Sequence, residues 1–247
     1  MTKEFQFSEQ GYKNLIGALL KKGYSAVDFS EAKSEARHLI LRHDVDMSLS
    51  AAAHIALVEQ ELNVAAHYFV LVSSEFYNIF TKRATKLLDQ ILAAGHKVGL
   101  HFDAANHSVD NIDEAAAHEL AALESVIGQR VEMISLHRPS SALVGSDRPI
   151  AGRAHCYQPK FIKRIGYCAD SRGYWYHGDP LSHPAVNNRK ALQLLTHPIW
   201  WIGDRTSPET RLDNFLRARG GEIDDELAEQ CSVHIPDRFS ILTKEKP

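Results

Sequence analysis

Short apolar runs alternate with longer stretches of helical periodicity, and this alternation limits the possible folds more than any other feature of the sequence. The six runs are HLILRHD (38–44), AAHYFVLV (65–72), HKVGLHF (96–102), VEMISLH (131–137), GYCADS (166–171) and LQLLTHP (192–198). Between them, apolar residues recur three and four positions apart, as Ile55, Val58 and Leu62 do. This pattern is typical of parallel strands connected by amphipathic helices.

Further elements extend the pattern at both ends of the chain. A helix over residues 8–22 and an extra strand over 25–29 are predicted before the first run, and Thr206-Ser207-Pro208 opens a last helix. About seven strands favour an irregular (β/α) barrel, with an open doubly wound sheet as the alternative. Residues 140–157 are predicted to form a loop over the site. Because the sequence shows no repeat and no linker-like tract, residues 1–247 are predicted to be one domain.

The composition excludes several classes of protein. The 28 Lys and Arg residues nearly balance 31 Asp and Glu residues, so no basic surface indicates a nucleic acid or an anionic membrane as partner. Three cysteines without CxxC spacing predict neither a disulfide framework nor a cysteine zinc site. Without a signal-like N-terminus or an apolar run of about 18 residues, the chain is expected to be cytoplasmic and to lack a membrane span. The oligomeric state is not predicted.

Residues able to bind a metal or transfer a proton stand at the ends of the predicted strands. They are Asp44 and Asp46, His101 and Asp103, His137 and Arg138, Asp170, and His197. The carboxyl ends of parallel strands lie on one side of a barrel or of an open α/β sheet, so these side chains are expected to converge on one cleft. A carboxylate together with neutral imidazoles suits Zn²⁺ and similar divalent ions.

Simpler structural roles are open for several of these residues. Asp46 stands where it could cap the helix that follows, and Arg138 could form a purely structural ion pair or hold a catalytic carboxylate ionised by bidentate bonding. His96 begins its strand, far from the proposed cleft, and is expected to be structural. The indoles of Trp175, Trp200 and Trp201 could stack on sugars or pack in the core.

The order of these motifs resembles the polysaccharide deacetylase (NodB-like) family, whose motifs lie at the strand ends of an irregular (β/α) barrel. The resemblance covers residues 39–201, and RHDVD stands where the family commonly has TFDDG. It implies that Asp44 is the catalytic base and Asp46 a metal ligand. The third motif is matched by Arg138 and Pro139, the fourth by Asp170 and Trp175, and the fifth by residues 194–198, which makes His197 the general acid.

The second motif departs from the family pattern of two histidines four positions apart. His101 is present, but the position four residues later is Ala105. Substitutes for the missing ligand are His137, then Asp103, then His107. The segments GLHFD, SLHRP and HPIWW also resemble members that act in surface-polysaccharide and O-antigen biosynthesis.

The resemblance implies a hydrolase that uses a divalent metal, expected to be zinc. It would remove an N-acyl group, expected to be acetyl, from an amino sugar or a polysaccharide precursor. Asp44 would accept the proton of the attacking water, and His197 would protonate the departing amine. The alternatives are a carbohydrate-binding protein that kept the barrel without catalysis, and an enzyme that hydrolyses another amide or an ester.

Overall fold

The computed structural model describes residues 7–139, 141–203 and 206–235. The chain divides into two compact units, with the boundary between residues 204 and 205. The first unit contains α1 (Glu9–Lys21), β1 (Ser25–Ala26), β2 (His38–Val45), α2 (Leu49–Glu61), β3 (His67–Leu71), α3 (Lys82–Ala93), β4 (Lys97–Asp103), α4 (Ile112–Ile127), β5 (Met133–His137), β6 (Ala154–His155), β7 (Gly166–Ala169), α5 (Pro184–Asn187) and β8 (Leu192–Thr196).

The strands of the first unit form a parallel sheet that curls into an irregular barrel. Their order is β6-β5-β4-β3-β2-β8-β7, and β1 pairs with β2 beside this path. Every named ladder is parallel. Within the described ranges no ladder joins β6 to β7, so the barrel is open there. The predicted (β/α) barrel of about seven strands is confirmed, and residues 154–155 of the predicted loop contribute the short strand β6.

Alternation along β2 separates a core inside the barrel from a polar cluster outside it. Ile40 packs with Phe69 and Met133 in the inner core, and Arg42 and Asp44, at the same parity, face the same side. Gly99 on β4 makes room for this core, because a Cβ atom there would lie 2.5 Å from the ring of Phe69. The inner face of β2 therefore passes from apolar packing to charged groups as the strand approaches its carboxyl end.

On the outer side of β2, His43 joins a hydrogen-bonded cluster under α1 and α2. Its Nε2 lies 2.9 Å from Oε1 of Glu59, and its Nδ1 lies 2.7 Å from Oγ1 of Thr196. Glu59 also accepts hydrogen bonds from the hydroxyls of Tyr12 and Tyr68 at 2.5 and 2.6 Å. All five side chains are buried, so the cluster ties two helices to three strands beneath the carboxyl end of the barrel.

His96 has the structural place expected from its position before β4. Its Nδ1 accepts a hydrogen bond from the backbone nitrogen of Ala66, and its Nε2 lies 2.8 Å from the carbonyl oxygen of Ala56. The ring therefore links the start of the sheet to α2.

The second unit contains α6 (Pro208–Gln230). Ser207 caps this helix by accepting a hydrogen bond from the backbone nitrogen of Thr210, and Pro208 occupies the first turn, where proline is tolerated. The predicted opening of the last helix is thus confirmed. None of the helices in the described ranges has both the length and the apolar character needed to cross a bilayer.

Candidate metal and catalytic site

Three side chains at the carboxyl ends of β2, β4 and β5 form a group of potential metal ligands. Asp46 follows β2, His101 lies near the end of β4, and His137 is the last residue of β5. One donor atom from each lies within 4.8 Å of the others. The nearest contact joins His101 Nε2 to Asp46 Oδ1 at 3.0 Å, and His137 Nδ1 lies 3.5 Å from the same oxygen.

The donor set fits a divalent cation of the zinc type. One carboxylate and two imidazoles are the ligand types that zinc takes in catalytic sites, where three protein ligands leave a position open. Burial alone would raise the pKa of Asp46, but hydrogen bonds from His101 and His137 hold it well below its usual value, so the carboxylate is ionised at neutral pH. His137 is 31% exposed, which leaves one side of the group open to solvent.

Asp46 does not cap the helix that follows it. The N-cap of α2 is Ser48, whose hydroxyl accepts the hydrogen bond from the backbone nitrogen of Ala51. The carboxylate of Asp46 is instead directed toward His101 and His137. The alternative in which Asp46 serves only as a cap is therefore wrong.

Asp103 and His107, the other candidates for the third ligand, lie outside the group. Asp103 is paired with Arg138, whose Nη2 contacts Oδ2 and whose Nε donates to Oδ1 at 3.2 Å. His107 stacks on Phe102, with ring centroids 5.2 Å apart. Both side chains are thus occupied by other contacts, and the donor group contains His137.

One interpretation of the sequence was that Arg138 holds a catalytic carboxylate ionised, but the arginine pairs with Asp103 and not with Asp44, the proposed base. It has a positive φ of 50°, a conformation that is uncommon for a residue other than glycine. The turn directs its guanidinium to Asp103, the last residue of β4. The ion pair of Arg138 therefore belongs to the rim of the site.

Arg42 holds Asp44 instead, a role that was not predicted from the sequence. Nε and Nη2 of Arg42 donate to the two carboxylate oxygens at 2.9 and 2.7 Å, and the hydroxyl of Ser135 lies 3.0 and 3.1 Å from them. Burial alone would raise the pKa of Asp44, but the charges of Arg42 and His101 lower it. The signal was present in the RHDVD motif, because residues two apart on a strand share a face.

His197 is held on the opposite side by Asp170. The carboxylate of Asp170 accepts hydrogen bonds from the backbone nitrogen of His197 at 3.0 Å, from its Nδ1 at 2.6 Å, and from Nε1 of Trp201 at 2.7 Å. Burial alone would lower the pKa of His197, but the charge and hydrogen bond of Asp170, with smaller contributions from Asp46 and Asp44, raise it to about 9. In the metal-free protein the imidazole is therefore protonated at neutral pH.

Asp44, the proposed base, and His197, the proposed acid, both lie close to the group of potential metal ligands. Oδ2 of Asp44 lies 3.8 Å from His101 Nε2, and His197 Nε2 lies 3.7 Å from Asp46 Oδ2. The structure thus brings together five of the residues singled out in the sequence, from the carboxyl ends of β2, β4, β5 and β8: Asp44, Asp46, His101, His137 and His197. Such an arrangement can bind a cation, accept a proton on one side and donate a proton on the other.

The three tryptophans do not form an exposed surface for sugar stacking. Trp200 and Trp201 are buried, and the indole nitrogen of Trp201 bonds to Asp170. Trp175 is half-buried, and its ring centroid lies 5.8 Å from that of Phe7 and 5.9 Å from that of Trp201. The stacking role is therefore wrong for Trp200 and Trp201, which pack beneath the site.

Comparisons with known proteins give similarities at the level of solved structures only. No family model matches the sequence, and a search of curated proteins finds no match either. A family 4 carbohydrate esterase from Bacillus anthracis is 17% identical, with 94% of this chain and 92% of that chain covered and a TM-score of 0.47.

Two further solved structures show weaker similarity. IcaB from Ammonifex degensii is 18% identical, with 52% of this chain and 66% of that chain covered and a TM-score of 0.41. A family 4 acetyl xylan esterase from Clostridium thermocellum, in complex with a cobalt ion, is 18% identical, with 74% and 84% covered and a TM-score of 0.39.

Proposed function

We propose that this chain is a hydrolase that depends on a divalent metal ion, expected to be zinc. It removes an N-acyl group, expected to be acetyl, from an amino sugar or a polysaccharide precursor. The observation that supports the proposal is the arrangement around Asp46, His101 and His137. A buried carboxylate and a protonated imidazole approach this donor group, each held by a buried partner of opposite charge.

Asp46, His101 and His137 would hold the metal ion. When bound, a divalent cation polarises the carbonyl group of the substrate and lowers the pKa of a water molecule. Asp44 accepts the proton of the attacking water, since its lowered pKa keeps it ionised. Arg42 fixes both oxygens of Asp44, so the accepting atom has a defined position.

His197 supplies the proton that the leaving group needs. An amine is expelled from an amide only after protonation, whereas an ester releases an alcohol more easily, so an acid that stays protonated at neutral pH suits an N-acyl substrate. Asp170 occupies Nδ1 and leaves Nε2 to donate. The sugar part of the proposal is supported by Tyr174 and Tyr176, exposed aromatic side chains on the segment that follows Asp170.

The test is release of acetate from N-acetylated amino sugars and their short oligomers by protein loaded with Zn²⁺, Co²⁺ or Ni²⁺. The proposal expects release by the wild type and its loss in Asp44→Asn. Binding of these sugars without release by wild-type protein that retains metal would favour the non-catalytic carbohydrate-binding alternative. Release of acetate from acetyl esters alone would assign the site to ester hydrolysis. A surface-polysaccharide precursor is the substrate class that we place first.

A further inference from the structure

Tyr157 contacts the arginine that holds the proposed base. Its ring centroid lies 4.9 Å from the guanidinium carbon of Arg42, and its hydroxyl accepts a hydrogen bond from Nη2 of Arg42 at 3.2 Å. The ring of Phe69 is farther from the same carbon, at 5.8 Å. Because a guanidinium is planar and stacks on aromatic faces, Tyr157 restrains both the plane and one edge of this group.

The position of Tyr157 is itself fixed by the backbone around it. Tyr157 lies two residues after β6, and its carbonyl oxygen accepts a hydrogen bond from the backbone nitrogen of Gly145 at 2.8 Å. The preceding backbone nitrogen, of Cys156, donates to the carbonyl oxygen of Ile134 on β5 at 2.9 Å. The side chain of Tyr167, on β7, hydrogen-bonds to that of Tyr157 across the opening between β6 and β7. Tyr157 is therefore held at both edges of the opening while it reaches Arg42.

The guanidinium of Arg42 needs such a restraint. Its Nε and Nη2 donate to Asp44, but Nη1 has a long contact, 3.4 Å, with Oε1 of Gln193. A two-pronged pair keeps its geometry only while the planes of the guanidinium and the carboxylate stay aligned. The ring of Tyr157 opposes a tilt of the guanidinium plane.

We propose that Tyr157 is a positioning residue, which acts through Arg42 on the orientation of Asp44. The inference rests on the proposed function, in which Asp44 is the base. Asp44 receives its hydrogen bonds from Arg42 and Ser135, so the effect of Tyr157 on the carboxylate passes through Arg42. Tyr157 ends the segment that the sequence predicted to be a loop, and no strand-end motif indicated this role.

Turnover of single and combined variants tests the role. Tyr157→Leu removes the ring and the hydroxyl and should lower kcat at least about tenfold, with KM within about threefold of the wild type. Tyr157→Phe keeps the ring and should retain kcat within about threefold of the wild type. In Arg42→Lys protein, Tyr157→Leu should change kcat less than about twofold, because the group that Tyr157 orients is already gone.

The control is Tyr24→Phe, which removes the hydroxyl of a buried tyrosine that donates to the carbonyl oxygen of Lys190 at 2.6 Å. This variant should keep wild-type turnover. Wild-type turnover in Tyr157→Leu would overturn the proposal. So would a loss of the same size in the wild-type and Arg42→Lys backgrounds, because the effect of Tyr157 would then be independent of Arg42.

Hydrogen exchange in the metal-free protein separates this proposal from the hydrolase proposal. The Nε–H of Arg42, assigned in NMR spectra by its absence in Arg42→Lys, should exchange slowly because it is buried and bonded to Asp44. Exchange should be at least about tenfold faster in Tyr157→Leu and unchanged in Tyr24→Phe. This result supports the positioning role even where the wild type releases no acyl group, an outcome that contradicts the hydrolase proposal alone.

Equal exchange in the wild type and Tyr157→Leu overturns the positioning role. If circular dichroism shows that Tyr157→Leu does not fold, Tyr157→Phe decides. Having lost the hydroxyl, Tyr157→Phe should exchange the Nε–H of Arg42 at least about threefold faster than the wild type, and equal rates would overturn the proposal.

Discussion

Arg42 forms two hydrogen bonds with Asp44 from a position two residues earlier on the same strand, with Nε to Oδ1 at 2.9 Å and Nη2 to Oδ2 at 2.7 Å. Both side chains are buried, and the ring of Tyr157 lies 4.9 Å from the guanidinium carbon of Arg42. Because guanidinium and carboxylate are planar and matched, the pair orients the proposed base as well as keeping it ionised. The proposed base thus receives its orientation from its own strand.

The Arg42–Asp44 pair can be tested with Arg42→Lys. Lysine keeps the charge but offers a single ammonium in place of the two-pronged guanidinium, so turnover should fall by about tenfold or more while metal affinity changes little. Steady-state kinetics give the turnover number. Arg148→Lys, at an exposed arginine that pairs with Asp113, is a matched control and should keep wild-type turnover. Equal turnover in Arg42→Lys and Arg148→Lys would contradict the role of Arg42 in orienting Asp44.

Asp44→Asn should separate catalysis from metal binding. The amide keeps the shape of the side chain but accepts no proton at neutral pH, and general-base catalysis is typically worth about 100- to 10,000-fold. Turnover should therefore fall at least about 100-fold, with zinc affinity within about threefold of the wild type. Asp103→Asn, at the carboxylate paired with Arg138, serves as the control. Activity of Asp44→Asn within threefold of the wild type would assign the base to another residue.

Asp170→Asn should shift the pH dependence that His197 imposes. The pKa of His197 in the metal-free protein is about 9 because Asp170 stabilises the protonated ring, so the variant should have a pKa closer to 6.5. NMR titration of the metal-free protein measures this value directly. An acid must be protonated to act and loses its proton as the pH rises, so the alkaline limb of the rate profile should move to lower pH. An unchanged limb would exclude His197 as the acid.

Glu59→Gln should lower stability without changing the site. Glu59 is fully buried and accepts hydrogen bonds from Tyr12 and Tyr68 beside His43, and hydrogen bonds to a charged group contribute about 1.5–3 kcal/mol each. The free energy of unfolding in urea should fall by at least about 1.5 kcal/mol at pH 7. Burial alone would raise the pKa of Glu59, but His43 lowers it, so its contribution is present above the unfolded pKa and is lost in acid. Equal unfolding curves at pH 7 would contradict this role.

The sequence allowed much of the barrel to be predicted, because buried parallel strands appear as continuous apolar runs. The runs HLILRHD and LQLLTHP form β2 and β8. The carboxyl ends of these strands place Asp44 and His197 at the site. His137 as a neighbour of His101 also followed from the order of the strands. That residues 1–247 form one domain stays a prediction, as does the location of the protein in the cytoplasm.

Contacts made across the barrel could not be predicted from the sequence. Arg138 could hold the carboxylate of Asp44 or that of Asp103, and the positive φ that directs its guanidinium to Asp103 is not encoded in the residues around it. Likewise, an indole near a polar group suits either stacking or packing. Burial of Trp201 against Asp170 depends on how the segment after β8 turns, which local periodicity does not encode.

The most direct test of the account is the amount of zinc that the purified protein retains after loading and dialysis, measured by elemental analysis. The wild type should hold one ion per chain, and His101→Ala and His137→Ala should each lose at least tenfold in affinity, because each removes one of three protein ligands. Asp103→Ala and His107→Ala, which change neighbouring residues outside the donor group, should bind as the wild type does. No zinc in the wild type, or a loss confined to Asp103→Ala or His107→Ala, would contradict the account.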